Sequence, residues 1–436
     1  MGLKRELGLF EITLYGIGMI VGAGIYALIG KVAGLAGNGV WLSFLISSFL
    51  AIFTGLSYAE LSSIFTKDSA EFDYVRHATK SKYLSYIVAW FMLASMIISA
   101  TVVALGFGGY LSAILGIANA VVFAALSIFI FTLINFVGIK ISAKINNVAT
   151  ILEVLGLALI IFGVIAIVGL NPNYTKVKID YFDFSLSGVI SGAILAFFAY
   201  IGFGSIAKMG EEVKNPEKTL PKAILLSIFI TTLLYIGVAI ASITIASPQE
   251  LYTSSEPAAL IAEKIHPNLK LILSIIALFS TGNTILLILI SSSRMLYGLA
   301  SQKVFPPIFS KINKFTHTPH YAVLITGIIA TALLIYSDIK IVAEVTNLWI
   351  FICYFFVNLS VILLRYKNLE KERSFKIPLN IGKFPLLAFF GVVTSLWMIF
   401  ETIKERFFLE DPAIYLTLLV LCIATIFYLF ERFKNL

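Results

Sequence analysis

Charge is what this chain has least of. Asp, Glu, Lys and Arg make up 13% of its 436 residues, about half the share usual in soluble globular domains. A chain so poor in charge has no polar shell with which to cover a water-soluble core. Cysteine is nearly absent: Cys353 and Cys422 are the 2 present. Both fall inside long apolar runs, where a thiol serves as a small packing residue and no disulfide framework can be built. The 4 histidines, His77, His266, His317 and His320, lie between those runs, so none lines a proton path at mid-membrane depth. There is no H-E-x-x-H, no Cys/His ligand spacing and no G-x-S-x-G; the chain offers no metal site, no cofactor site and no activated nucleophile, and reads as something other than an enzyme. The net charge of +8 does not imply a nucleic-acid partner, because Lys and Arg punctuate apolar runs instead of clustering on one solvated face.

What the chain has in abundance is apolar sequence, 59% of its residues, with a mean hydropathy of +0.97. A template of roughly 20 apolar residues per span predicts twelve transmembrane helices, near 9–33, 40–64, 84–114, 120–137, 147–170, 185–208, 221–246, 269–300, 321–337, 341–364, 384–402 and 412–430. The first run is too long for a cleaved signal and is expected to stay as a span. Of the 32 Lys and Arg residues, 24 fall on the side of the N-terminus and 8 on the other. The positive-inside rule then predicts a multi-pass protein of the cell membrane, embedded in the lipid bilayer, with both termini cytoplasmic. The outer segment 247–267 is expected to hold a short helix.

Glycine is placed where a membrane helix can least afford it. GIGMIVGAGIYALIG, Gly16–Gly30, carries five glycines inside the first run, and AFFAYIGFGSIAKMG, Ala196–Gly210, interrupts the sixth about 180 residues later. A break in mid-membrane strands N–H and C=O groups that hydrocarbon cannot satisfy, so it must line a cavity or meet a ligand. Five helices lie in each unit that begins at a break, and an odd count makes a repeated unit enter the membrane in the opposite direction; paired breaks of this kind point to a binding site near the midplane. The N–H groups of Gly22, Ala23 and Gly24 suit a carboxylate, and the carbonyls of Phe198, Ala199 and Tyr200 suit an ammonium, together a zwitterion. The competing reading is that Gly18-x-x-x-Gly22 only lets two helices approach closely.

These segments carry a family resemblance. GIGMIVGAGIY with FFAYIGFGSIAKMGEEVKNPEKTLPKAI, and more loosely SSSRMLYGLASQ in the eighth span, resemble the amino acid, polyamine and organocation (APC) transporters, in particular the prokaryotic amino acid permeases. The resemblance covers nearly the whole chain. It implies an all-α membrane protein of the LeuT-type fold: a 5+5 inverted repeat, 1–170 and 185–364, then two appended helices and the C-terminus, 384–436, with alternating access around one central site. Gly22, Ala23 and Gly24 match the carboxylate cradle of that fold, and Phe198, Tyr200 and Phe203 its aromatic walls and outer gate. Ile20, Ile25, Ala199 and Gly202 complete the expected substrate site.

The implied function is secondary active transport of amino acids. Neutral ones are favoured because Lys and Arg are absent from the inner thirds of the first, third, sixth and eighth spans. An exchanger, a channel and a receptor-like protein are the alternatives. In sodium-independent relatives a lysine of the fifth helix steadies the broken first helix; here the matching midpoint is Ala158 and the only charge in that span is Glu153. Ser280, Asn283 and Thr284 lie at matching depth in the eighth span and complete the candidate ion site, with a proton the expected coupling ion. Glu211 and Glu212 are expected to form a cytoplasmic gate, and Glu11 and Glu60, near span ends, to pair with basic residues.

Overall fold

The structure, a computed structural model, describes residues 3–117, 119–170, 180–254, 256–335, 339–367 and 372–407, with six further positions between 417 and 428. The helices are α1 Leu9–Ala36, α2 Val40–Ser62, α3 Ala70–Thr79, α4 Lys82–Leu115, α5 Ala120–Val137, α6 Ile139–Leu170, α7 Leu186–Phe197, α8 Gly204–Ala207, α9 Pro216–Ile245, α10 Pro248–Thr253, α11 Pro257–Ile265, α12 Leu269–Ser301, α13 His320–Ala332, α14 Ile339–Arg365 and α15 Leu386–Phe407. A two-stranded antiparallel hairpin, β1 Asn380–Ile381 and β2 Phe384–Pro385, leads into α15. This is an all-helical membrane protein: among the described residues, ten stretches are long and apolar enough to cross a bilayer. They match ten of the twelve expected spans. The ninth, His320–Ile335, is shorter, and the twelfth, 412–430, falls almost wholly outside the described residues.

Local chemistry sets the helix ends. α1 begins at Gly8, where the Glu11 carboxylate accepts the Gly8 N–H at 2.9 Å; Glu11 therefore caps a helix instead of pairing with a lysine. α9 carries Pro216 in its first turn, where a missing N–H costs nothing. The 247–267 segment forms two short helices where one was expected, and α10 is opened by a Ser247–Glu250 capping box. α3, unforeseen in the sequence, lies between α2 and α4 outside the spans.

The apolar helices sort by how much of their surface other helices cover. In α1 the window Leu9–Tyr26 is 71% buried, whereas Ala120–Val137 and Leu386–Lys404 are each 22% buried, so α1 is central and α5 and α15 face lipid. α1 touches α6, α7, α9, α10 and α12. Its glycines serve that position, with Gly16 against Ser227 of α9 and Gly18 against Thr150 of α6 and Asn283 of α12.

The face bearing the start of α1, called here the near face, is stitched together by buried charge and backbone. Leu7 pairs in parallel with Val213; the Glu6 and Leu7 N–H groups each donate to the Glu212 carbonyl at 3.0 Å, and the Lys214 N–H donates to the Leu7 carbonyl at 2.9 Å. Glu60 accepts two hydrogen bonds from Arg365, at 2.7 and 2.6 Å, and one from the Ile377 N–H at 2.9 Å, and it lies 3.2 Å from Arg373. The expected structural pairing of Glu60 is thus what ties α2 to α14.

Candidate functional site

α1 leaves helical geometry at one residue, Gly22, with φ 16° and ψ −137°. The break is held from both sides: the Ser280 hydroxyl donates to the Gly22 carbonyl at 2.9 Å, and the Tyr235 hydroxyl lies 2.7 Å from the Ile20 carbonyl. A Cβ on Gly22 would collide with the Thr284 hydroxyl, and one on Gly24 would sit 2.8 Å from the Ala199 Cα. Gly24 is therefore the point where the first broken helix meets the second.

The second break is wider. α7 ends at Phe197, a 3-10 turn covers Phe198–Tyr200, Ile201 is extended, and Gly202 takes φ 142°, a conformation side chains rarely adopt. Its α-carbon packs on the Met19 carbonyl of α1, where a Cβ would sit at 2.7 Å. Two of the three carbonyls expected to be open are engaged: that of Phe198 accepts the Ile201 N–H at 3.2 Å, and that of Ala199 lies 3.0 Å from the Tyr235 hydroxyl. Tyr235 thus bridges both breaks. Sequence reasoning missed it, because a tyrosine in an apolar run carries no signal of where its hydroxyl will point.

Between the breaks lies a cavity of about 90 Å³. From α1 it is lined by Met19, Ile20 and Gly24, and from the second break by Phe198, Ile201, Gly202, Gly204, Ser205 and Lys208. One face of α4 supplies Met92, Met96, Ser99 and Val103, whose spacing follows the helical repeat; Thr284 and Ile288 of α12, Ile350 and Tyr354 of α14, and Tyr58 of α2 complete the wall. The α4 stripe was legible as a helical period, but a methionine stripe at that spacing is ordinarily core.

The remaining expected residues fall around this cavity in different ways. Ile20, Gly22, Gly24, Phe198, Ala199 and Gly202 come together at the two breaks, with Ala23 between the two α1 glycines. Ile25 is buried in α1 outside the lining residues. Tyr200 turns away, its hydroxyl on the Phe44 carbonyl at 3.2 Å and its ring 5.0 Å from that of Tyr235. Phe203 is buried between the rings of Tyr58 and Tyr354, at 5.7 and 5.4 Å. Of the three aromatics expected in the site, the half-buried Phe198 is the one that lines the cavity.

The candidate ion site divides. Asn283 reaches α6, its amide nitrogen lying 3.0 Å from Glu153 Oε1 and 3.2 Å from both Asn146 Oδ1 and Thr150 Oγ1. The Glu153 carbonyl accepts the Tyr26 hydroxyl at 2.9 Å. Glu153 is fully buried, and its Oε2 has no partner among the described residues. Ala158 is not brought to this cluster: it lies in an open apolar groove with Leu155, Leu159, Phe162, Gly163 and Leu269. Five residues along a helix are 500° of turn, which rotates position 158 well off the face that carries Glu153.

Toward the near face the cavity ends on charge that the sequence did not place there. The Lys208 ammonium lies 2.5 Å from Glu71 Oε1, both side chains essentially without solvent exposure, and the Tyr58 hydroxyl donates to the same oxygen at 2.7 Å. Beyond it, Glu212 and Arg294 form a fully buried pair with two contacts of 3.1 Å, and Arg294 also donates to Asn135 Oδ1 at 2.7 Å. Arg294 belongs to the SSSRMLYGLASQ segment but had no assigned role. The Glu211 N–H donates to Asp68 Oδ1 at 2.9 Å. Burial, with the added repulsion of Glu211 and Glu212, holds the Asp68 carboxyl well above its ordinary range, and burial likewise raises that of Glu211.

A bundle of membrane-length helices, two of them broken against one cavity, is the architecture of a solute transporter. The family model of the amino acid permeases matches residues 7–427, and the chain belongs to that family. It is 29% identical over 397 residues to the branched-chain amino acid permease BcaP of Bacillus subtilis, covering 86% of this chain and 84% of the relative. It is 26% identical over 419 residues to the methylthioribose transporter of the same organism, covering 92% and 88%. Cationic amino acid transporter 4 of Mus musculus is 25% identical over 397 residues, covering 85% and 61%.

Proposed function

We infer that the protein carries amino acids across the cell membrane by alternating access, holding the substrate in the cavity between its two broken helices. The observation that carries this reading is the approach of Gly24 to Ala199, which brings both breaks to one cavity. N–H groups just after the α1 break stand at the start of the outer half of the helix and suit a carboxylate, and the carbonyl end of α7 suits an ammonium. The substrate side chain then projects among Met92, Met96, Ile288 and Ile350, where an apolar group gains most. Neutral amino acids are the preferred class, since the one ionisable cation in the wall, Lys208, is already neutralised by Glu71. Among the relatives, one is named for branched-chain amino acids and others for cationic ones; the wall favours the former.

The coupling ion is a proton, and its carrier is Glu153. Among the described residues this carboxylate has no basic partner, so it can change charge without opening an ion pair, and its link to Asn283 ties α6 to the helix that holds Gly22. The frame for the movement is two inverted five-helix units, 1–170 and 185–364, with 384–436 appended; both termini are cytoplasmic, so the near face is the cytoplasmic one. Glu211 and Glu212 belong to the gate on that side.

The test is uptake into proteoliposomes. Saturable leucine or alanine uptake with counterflow is expected, with arginine a poor competitor, and Gly24→Val should abolish binding in a protein that still inserts. Uptake without counterflow, or arginine outcompeting leucine, overturns the reading.

A further inference from the structure

We propose that the Lys208–Glu71 pair is the charge filter of the cavity: Lys208 fills the place that the cationic side chain of a substrate would otherwise take against Glu71. The inference rests on the transport reading above and deepens it, by assigning the residues that decide which side chains are admitted.

The geometry is that of an occupied cation site. Glu71, on α3, is buried behind the cavity wall; Lys208 and Tyr58 line the wall in front of it, and both donate to its Oε1, at 2.5 and 2.7 Å. Lys208 also donates to the Gly204 carbonyl at 3.2 Å, which fixes the ammonium at the end of the cavity. Among the described residues the other carboxylate oxygen, Oε2, has no partner, nor does the Tyr74 hydroxyl one turn further along α3. Glu71 therefore has hydrogen-bonding capacity in reserve for a second donor. With the lysine present, an arriving ammonium or guanidinium meets a like charge at the cavity floor and a carboxylate whose charge is already neutralised. With the lysine shortened, the space it leaves leads from the cavity to an unpaired carboxylate, and a substrate cation entering that space would rebuild the pair.

The filter is testable by exchanging the tethered cation for a free one. In Lys208→Ala, competition by lysine against leucine uptake should rise by roughly ten- to a hundredfold over the unaltered protein, the worth of a charge-assisted hydrogen bond. The double variant Lys208→Ala with Glu71→Ala should show no such gain. A second readout needs no transport: n-butylamine should raise the thermal midpoint of detergent-solubilised Lys208→Ala and leave that of the double variant unmoved. If Lys208→Ala folds and keeps the original ratio of lysine to leucine competition, the filter is overturned. It is equally overturned if the amine fails to stabilise Lys208→Ala while the double variant folds, because Glu71 is then unreachable from the cavity. Failure of the unaltered protein to take up any amino acid would count against the transport reading alone, and the amine experiment would still decide the role of the pair.

Discussion

Glu71 and Glu153 are both carboxylates without solvent exposure, but the bundle holds them on opposite terms. Glu71 faces an ammonium at 2.5 Å and a phenol at 2.7 Å. Among the described residues the Glu153 carboxylate meets only the amide of Asn283, at 3.0 Å, with its second oxygen unpartnered. A carboxylate locked to a cation presents a neutral unit to its surroundings, and separating the two is costly. A carboxylate beside an amide can gain or lose a proton with no ion pair to break. In the proposed mechanism the first arrangement therefore selects and the second couples, and the contrast can be attacked from either end.

The largest effect should come from Glu71→Leu, which strands the Lys208 ammonium in the cavity floor at a cost of about 3–5 kcal/mol. The readout is a steep fall in the thermal midpoint in detergent, and Glu153→Leu, which takes one of three acceptors from the Asn283 amide, should lose clearly less. Next comes Glu153→Gln, which keeps the shape and the oxygen that Asn283 contacts but has no proton to exchange. Accumulation driven by a pH gradient should vanish while counterflow exchange continues, and Ala158→Lys, placed in the lipid-side groove, should leave coupling unchanged. Accumulation by Glu153→Gln that still follows outside acidity would remove the distinction between the two carboxylates.

Smaller effects probe what surrounds the pair. Tyr235→Phe deletes the hydroxyl shared by the Ile20 and Ala199 carbonyls and should weaken substrate binding by about 1 kcal/mol, measured as a shift in the concentration for half-maximal uptake. The smallest concerns Asp68 and Glu211, outside the spans, whose carboxyls are raised by burial. The folded protein holds these protons more tightly than the unfolded chain does, so their contribution to stability is present on the acid side and is lost as pH rises through the raised values. Protection of the amides in the 63–69 and 208–215 segments, expressed relative to the base-catalysed exchange rate of the unstructured chain at the same pH, should be greater at about pH 5.5 than at about pH 8, above the ordinary carboxylate range. Asp68→Asn should flatten the difference.

The two breaks were legible because glycine and hydrophobicity conflict at identifiable positions, Gly22 with Gly24 and Gly202 with Gly204. The packing interpretation of Gly18-x-x-x-Gly22 also holds in part, since Gly18 does admit Thr150 and Asn283; close approach and helix breaking occur in one motif. Less legible was the wall of the site. Tyr200 and Phe203 were expected to line it and instead brace it, while Met92, Met96 and Tyr58 line it unannounced. Glu153 was read as one of several candidates, and Ala158 was chosen by depth, which ignores rotation about the helix axis.

From the sequence alone came the solvent of this protein, the positions of its apolar spans, the places where two of them must break, and the charged connectors on one side. Those follow from composition and local chain chemistry, because a bilayer demands apolar length and backbone satisfaction whatever the neighbours are. Tertiary structure alone decided which face of each span turns inward, that Lys208 finds Glu71 137 positions away, and that Glu153 rather than Ala158 meets Asn283. In a helix that is apolar all round, lipid and packed neighbour look alike to a side chain, so the sequence carries little information about rotation. Only the fit of the assembled helices supplies it.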